Sequence, residues 1–250
     1  TTGGSNTVVG YQALKSNTTA SNNTAVGYQA GYSNTTGVSN TAIGYQANYY
    51  NSTGGNNVSV GYQALINNTT ANYNTALGYQ AGFRSDTAGE NTFIGYIAGY
   101  GANGTNAYYC TFVGSQSGHG AVTGAGNTGL GALSLYSQTS GTNNTAIGRE
   151  ALYSNTTASN NTAVGCQAAY GNTTGVGNVA VGSQALINAT TSVSNTAVGT
   201  QALANVTTGT GENVGIGNRA GYVLTTGAQN IIIGDNAAGN GASGAWSGCV

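Results

Sequence analysis

Asn23-Thr24-Ala25-Val26-Gly27-Tyr28-Gln29-Ala30 returns seventeen residues later as Asn40-Thr41-Ala42-Ile43-Gly44-Tyr45-Gln46-Ala47, and the return continues along the whole chain. Aligned on the glycine, the anchors are Gly10, Gly27, Gly44, Gly61, Gly78, Gly95, Gly114, Gly131, Gly148, Gly165, Gly182, Gly199, Gly217 and Gly234. Eleven of the thirteen spacings are 17; the others are 19, from Gly95 to Gly114, and 18, from Gly199 to Gly217, where loops absorb the extra residues. Four residues before the anchor stands Asn in thirteen coils, with Cys110 the exception, and the residue just before it is always Val, Ile or Leu. Three after it comes Ala in twelve coils, replaced by Ser117 and Ser134 in two.

A fixed period of this length decides the fold. Asn-Thr-Ala-Val-Gly alternates its side chains, with Thr and Val on one face and Asn and Ala on the other, and its β-branched residues suit a strand. A seventeen-residue unit cannot bury its own apolar face; stacked on identical neighbours, each strand pairs in parallel with its counterpart one coil along. The chain is therefore expected to be all-β, a parallel β-solenoid or β-roll of fourteen coils forming one repeat domain over residues 1–250. Val9, Val26, Ile43, Val60 and Leu77 head the column expected to fill its interior. With rungs ~4.8 Å apart, fourteen coils predict a rod roughly 65 Å long. The anchor glycine suits a bend with positive φ, and the Asn before it a left-handed turn whose amide bonds to the Asn above and below. Each coil orders seventeen residues at ~1–2 kcal/mol apiece, while its Ala and Gly bury little area. Extra burial against other copies is expected to make up the difference.

The repeats Asn6-Thr-Val-Val-Gly10-Tyr-Gln-Ala13, Asn40-Thr-Ala-Ile-Gly44-Tyr-Gln-Ala47 and Asn144-Thr-Ala-Ile-Gly148-Arg-Glu-Ala151 resemble the head repeats of trimeric autotransporter adhesins. They are similar, too, to arrays in phage tail-fibre-like proteins. The resemblance covers essentially the whole chain. It implies a left-handed parallel β-roll, three chains side by side, and a fibre on a cell surface or a virion that holds on to something.

Composition narrows the function further. Of 250 residues only nine are charged, four Lys or Arg and five Asp or Glu, or 4% against a norm of about 25%. Water must then be met by uncharged Asn, Thr, Ser, Gln and backbone. The basic residues Lys15, Arg84, Arg149 and Arg219 are scattered, which excludes nucleic acid and anionic membrane surfaces as partners, because phosphate contacts need clustered cations. The longest aliphatic run, Ile231 to Ile233, is far short of the ~20 apolar residues that span a bilayer, so no membrane insertion is expected. The chain begins without Met in a phrase that recurs internally, as expected of a processed product or a piece of something longer.

One histidine, His119, and carboxylates spread over separate coils (Asp86, Glu90, Glu150, Glu212, Asp235) leave little from which to build a hydrolytic site, so the chain is read as no enzyme. Gly124-Ala-Gly-Asn-Thr-Gly129 and Gly215-Ile-Gly-Asn-Arg-Ala220 match a dinucleotide-binding pattern only through the repeat, with no helix to follow. Calcium-binding solenoids place Asp in every turn, and with two Asp in the chain neither a metal ladder nor a cofactor is expected. Cys110 and Cys166 are read as small tolerated substitutions, and Cys249 as a candidate disulfide to another copy.

Four ranks could bind. Tyr follows the anchor in six coils (Tyr11, Tyr28, Tyr45, Tyr62, Tyr79, Tyr96), a ladder that either packs a neighbouring chain or offers stacking platforms to glycans or a host receptor. A second aromatic rank lies five after the anchor: Tyr32, Tyr49, Phe83, Tyr100, Tyr136, Tyr153, Tyr170 and Tyr222. Ranks of Thr three before the anchor and nine after it resemble those of ice-binding solenoids, although the first shares a face with Val and is expected to point inward. Among fourteen Asn-x-Ser/Thr triplets, Asn17, Asn34, Asn51, Asn155 and Asn172 are candidate glycosylation acceptors. The reading reached is an extracellular, non-enzymatic fibre or filament module that self-associates, as a homotrimer or end to end. A glycan- or receptor-binding adhesin head and an ice-binding solenoid are the alternatives.

Overall fold

The computed structural model describes residues 2–102, 107–120, 122–209 and 211–238. The described residues contain fourteen strands and no helix, and the chain divides into two compact units, residues 1–126 and 127–250. The first unit holds β1 (Thr7–Val9), β2 (Thr24–Val26), β3 (Thr41–Ile43), β4 (Val58–Val60), β5 (Thr75–Leu77), β6 (Thr92–Ile94) and β7 (Thr111–Val113). The second holds β8 (Thr128–Leu130), β9 (Thr145–Ile147), β10 (Thr162–Val164), β11 (Val179–Val181), β12 (Thr196–Val198), β13 (Val214–Ile216) and β14 (Ile231–Ile233). Within each unit consecutive strands pair in parallel, like letter against like: Thr24, Ala25 and Val26 oppose Thr41, Ala42 and Ile43. In the second unit Thr145, Ala146 and Ile147 oppose Thr162, Ala163 and Val164. The protein is a parallel β-solenoid. Both irregular spacings leave the register intact, with Thr92 opposite Thr111 and Thr196 opposite Val214.

Only three residues per coil are strand, yet backbone bonds between coils run around most of the perimeter. The N–H groups of Leu14, Ser16 and Thr18 donate to the carbonyls of Ala30, Tyr32 and Thr35 at 3.0, 3.0 and 3.1 Å. So short a circuit needs sharp corners. They fall two and four residues after the anchor, where Gln63 (φ 54°) and Leu65 (φ 50°) are left-handed, and again five before it, as at Asn56 (φ 57°). The recurrent Asn four before the anchor, expected to be left-handed, is not, because the bend comes one residue earlier and leaves its amide free to point into the stack. Each left-handed residue costs roughly 1–2 kcal/mol relative to the right-handed form. Stacking supplies the compensation. Leu65 is fully buried, and the corner glutamines bond amide to amide, Nε2 of Gln29, Gln46, Gln63 and Gln80 each donating to Oε1 one coil back at 2.8–3.1 Å.

The interior differs from the expected one. Val9, Val26, Ile43, Val60 and Leu77 face outward: Val9 is 59% and Leu77 48% exposed, whereas Ala25 and Ala76 between the outward positions are at 0%. The alternation was sound, but the two faces are exchanged. A coil with three-residue strands encloses too thin a space for stacked Val, and it is filled by Ala from the strand centre, Ala three after the anchor, and Leu at the corner. Where the strand centre is Phe93 or Phe112, the corner is Gly99 or Gly118, at which a methyl would overlap the ring. Gly82 and Gly221 likewise face large side chains of neighbouring coils, Leu65 and Phe93 in one case and Leu203 and Ile232 in the other, so a small residue in one coil is filled from the next.

Buried asparagines tie the coils together. Asn74 Oδ1 accepts from the Asn91 N–H (3.0 Å) while its Nδ2 donates to the Ala88 carbonyl (3.1 Å). The expected amide-to-amide contact occurs as well, as from Asn144 Nδ2 to Asn127 Oδ1 at 3.1 Å. Cys110 fits the Asn position because its N–H meets Asn91 Oδ1 (2.8 Å) and its Sγ lies 3.5 Å from the Gly124 carbonyl.

Three substitutions test this account by thermal and denaturant unfolding. Gly61 (φ 137°) lies so close to the next coil that a methyl would overlap the Gly78 carbonyl, so Gly61→Ala should lose about 1–3 kcal/mol for the conformation alone. Gly4→Ala, where a methyl meets nothing within 4 Å, should be nearly neutral, and equal effects would refute the close-approach argument. Asn74→Ala orphans the buried Asn91 N–H, while the Ala88 carbonyl keeps Asn91 Nδ2 and Ser85 Oγ as donors, and should lose roughly 1–3 kcal/mol.

Candidate functional site

Strand alternation carries the outward set past the glycine, so the first six coils present Thr, then Val, Ile or Leu, then Tyr on one side of the sheet, with Val58 in place of Thr in the fourth; the seventh carries Ser115 in place of Tyr. The Thr rank is half-buried in the strands Thr24–Val26, Thr41–Ile43 and Thr75–Leu77, but it lies on this outer face and not inside. The expected inward Thr is corrected by the same exchange of faces that moved Val. In the second unit the third rank changes to Ala132, Arg149, Cys166, Ser183 and Thr200. Arg149 pairs with Glu150 at 2.7 Å and also lies 3.5 Å from Cys166 Sγ.

Tyr11, Tyr28, Tyr45, Tyr62, Tyr79 and Tyr96 form one continuous stack, with neighbouring centroids 5.0–5.5 Å apart and planes within 20°. Rung spacing imposes this: identical rings one rung apart have room only to lie face to face. Each is 42–63% exposed, so what reaches solvent is ring edge and hydroxyl, while the faces of the inner rings cover one another. A ligand would meet this ladder at its edges rather than on its faces.

The second rank stacks likewise, Tyr32 on Tyr49 at 4.9 Å, Phe83 on Tyr100 at 4.9 Å, Tyr100 on His119 at 5.4 Å, and Tyr136, Tyr153 and Tyr170 at 5.0 and 4.9 Å. Three cations lean on it: Lys15 over Tyr32 (5.3 Å), Arg84 over Tyr100 (5.8 Å) and Arg219 over Tyr222 (4.2 Å). Burial, and then the facing phenols of Tyr32 and Tyr50, push the Tyr49 pKa up; burial, then Tyr136 and Tyr170, do the same to Tyr153. Burial holds the His119 imidazole below its usual value.

The candidate glycosylation acceptors sit in the solenoid wall. Asn34, Asn51, Asn155 and Asn172 are buried, and Asn17 is half-buried. All five donate through Nδ2, the atom a glycan would occupy, to the carbonyl three residues on, at 2.8–3.3 Å. The folded chain offers no acceptor at the four buried positions. Exposed triplets among the described residues begin instead at Asn22, Asn143, Asn160 and Asn188. Cys249 lies outside the described residues. Among the described residues no group of three or more His, Cys, Asp or Glu is placed to hold a metal ion.

One feature has no counterpart in the sequence reading. Tyr50, Asn67, Thr69, Arg84 and Asp86 line an open cleft of about 480 Å3 on the first unit. Tyr50, Asn67 and Arg84 occupy one rank, six after the anchor, where the first two coils have Ser16 and Ser33; Thr69 and Asp86 occupy the rank two further on. The signal was present as a departure from the repeat, because Arg84 and Asp86 bring two of the nine charges into one coil.

No family model, no curated protein and no solved structure matches the chain.

The raised phenol values give a pH dependence with a definite sign. The neutral ring is favoured in the folded state, so the stabilisation is complete below the ordinary value of 10.0 and is lost as pH rises above it towards the folded values. Melting temperature should therefore fall above pH 10.0, and Tyr49→Phe with Tyr153→Phe should lessen that fall. An ultraviolet phenolate titration in which the double variant loses only early-titrating groups would contradict it.

Proposed function

We propose that the chain is a non-enzymatic, extracellular structural fibre module that assembles side by side with other copies through the outer face of its sheet. The observation that supports this most strongly is the rank of outward aliphatic side chains, among them Val9 (59% exposed), Leu77 (48%), Leu130 (46%) and Ile233 (65%), bordered in the first unit by the Tyr ladder. Single exposed apolar residues are ordinary, but a rank repeated on successive rungs is, within each unit, a contiguous strip, and such strips mark interaction surfaces. The interior offers chiefly Ala, Leu and Asn, so the largest remaining apolar area to bury is outside. With four cations and five anions in 250 residues, no charge opposes the approach of a second copy. The likeness of the repeats to adhesin heads and tail fibres agrees with a fibre on a cell surface or a virion.

The outward Thr rank also favours a second reading, ice binding, because hydroxyl and methyl groups recur on successive in-register rungs of the sheet. Against it, aliphatic and tyrosine side chains interrupt the hydroxyl array on every rung of β1–β3. An ice-recrystallisation assay separates the two.

Analytical ultracentrifugation and electron microscopy test the assembly. The wild-type chain should sediment as a multimer, and Ile43→Lys with Leu77→Lys should shift it to monomer, whereas Thr19→Lys, exposed but off the strands, should not. A wild-type chain that stays monomeric at high concentration overturns the proposal.

A further inference from the structure

We propose that the cleft lined by Tyr50, Asn67, Thr69, Arg84 and Asp86 is a binding site for a neutral oligosaccharide. This inference is independent of the fibre reading, since the cleft lies off the strands that carry the aliphatic strip.

The cleft is where the repeat stops repeating. Coils one to four place Thr18, Thr35, Ser52 and Thr69 eight after the anchor, and the first three hydroxyls donate to the backbone of the next coil. In the fifth coil Asp86 replaces that residue, and Thr69 Oγ1 bonds its Oδ1 at 2.6 Å, which fixes the carboxylate and leaves Oδ2 as an acceptor. Two ranks away Tyr50, Asn67 and Arg84 follow one another on successive rungs in place of serine. Asn67 Nδ2 donates one N–H to the Phe83 carbonyl at 2.8 Å, which orients the amide and leaves its Oδ1 as an acceptor. Arg84 is exposed, with its guanidinium 5.8 Å from the Tyr100 centroid, and retains its fork of N–H donors for a ligand.

Tyr50 differs from the ladder tyrosines. It meets Tyr49 edge to face, at 82° and 4.6 Å, so at least one of its ring faces is free of a stacked neighbour, and it is 52% exposed. The ladder Tyr11 to Tyr96 lacks that free face in its inner members.

Taken together, the cleft offers an open aromatic face, a planar donor, a planar carboxylate and an amide oxygen at a volume typical of small-ligand sites. Planar polar groups of that kind bond neighbouring hydroxyls in pairs, and an aromatic face packs against the C–H side of a pyranose. One guanidinium and one carboxylate cancel, so the site has no net charge with which to select an anion. Ranks one rung apart present these groups along a line, which suits a short chain of sugars rather than a single compact molecule.

Saturation-transfer NMR with maltotriose, cellotriose, chitotriose and mannotriose, and with sialyllactose as the anionic arm, tests the proposal on the whole chain. At least one neutral trisaccharide should bind. Tyr50→Ser, Arg84→Ser and Asp86→Thr install residues the repeat itself uses at those positions, as in Ser16, Ser33, Thr18 and Thr35, so folding should survive and unchanged melting curves will confirm it. Each should weaken binding roughly tenfold or more, the scale of one lost ring contact or charged hydrogen bond, while Tyr28→Ser in the ladder should leave it unchanged. The same binding should persist in the Ile43→Lys, Leu77→Lys variant. Failure of every neutral probe, binding of sialyllactose alone, or undiminished binding by the three reverted variants overturns the assignment.

Discussion

Parallel, in-register stacking is the constraint from which the rest of this molecule follows. Every side chain in a coil has its own counterpart one rung away, so each position admits only residues that tolerate or welcome their own image. Glutamine answers glutamine through an amide that both donates and accepts, tyrosine lies flat on tyrosine, and threonine gives its hydroxyl to the next backbone. The anchor glycines are the strictest case, because the backbones approach too closely there for a side chain at all.

The seventeen-residue period made the architecture legible, along with the positive φ at the anchors, the bonds from asparagine to asparagine between coils and the loops that take up the 18- and 19-residue spacings. The inside and outside of the strand were not legible. Thr-Ala-Val shows two faces by alternation, and the larger apolar residue looks like core, but the width of the cavity decides, and width belongs to the closed coil rather than to any stretch of sequence. That one inversion moved Val26 and Thr24 outward and Ala25 inward. The tyrosine ladder was visible as a spacing, whereas the mutual covering of its rings is a property of the stack. The acceptor-like asparagines were read from a local triplet, although their fate depends on a turn that draws the amide towards the carbonyl three residues on.

The cleft shows the opposite limit. In a repetitive chain the informative residues are those that depart from the repeat, and Tyr50, Arg84 and Asp86 could have been found by subtracting the consensus. What subtraction could not supply was adjacency: residues 50, 67 and 84 are distant in sequence and neighbours only because seventeen residues make one circuit. The solenoid thus behaves as a ruler on which a substitution in one coil is placed beside a substitution in the next.

The scarcity of ionised residues takes on a meaning in this light. A lysine or glutamate written into the repeat would become a file of like charges one rung apart, each neighbour pair repelling by about 1–3 kcal/mol at effective dielectric constants between those of water and a protein surface. Amides, hydroxyls and phenols carry no such penalty, and with 4% of its residues charged the molecule hydrates itself almost wholly through them. A surface of that kind has little for dissolved electrolyte to screen and little for mild acid to titrate, so its affinity for water should vary hardly at all between fresh water and brine.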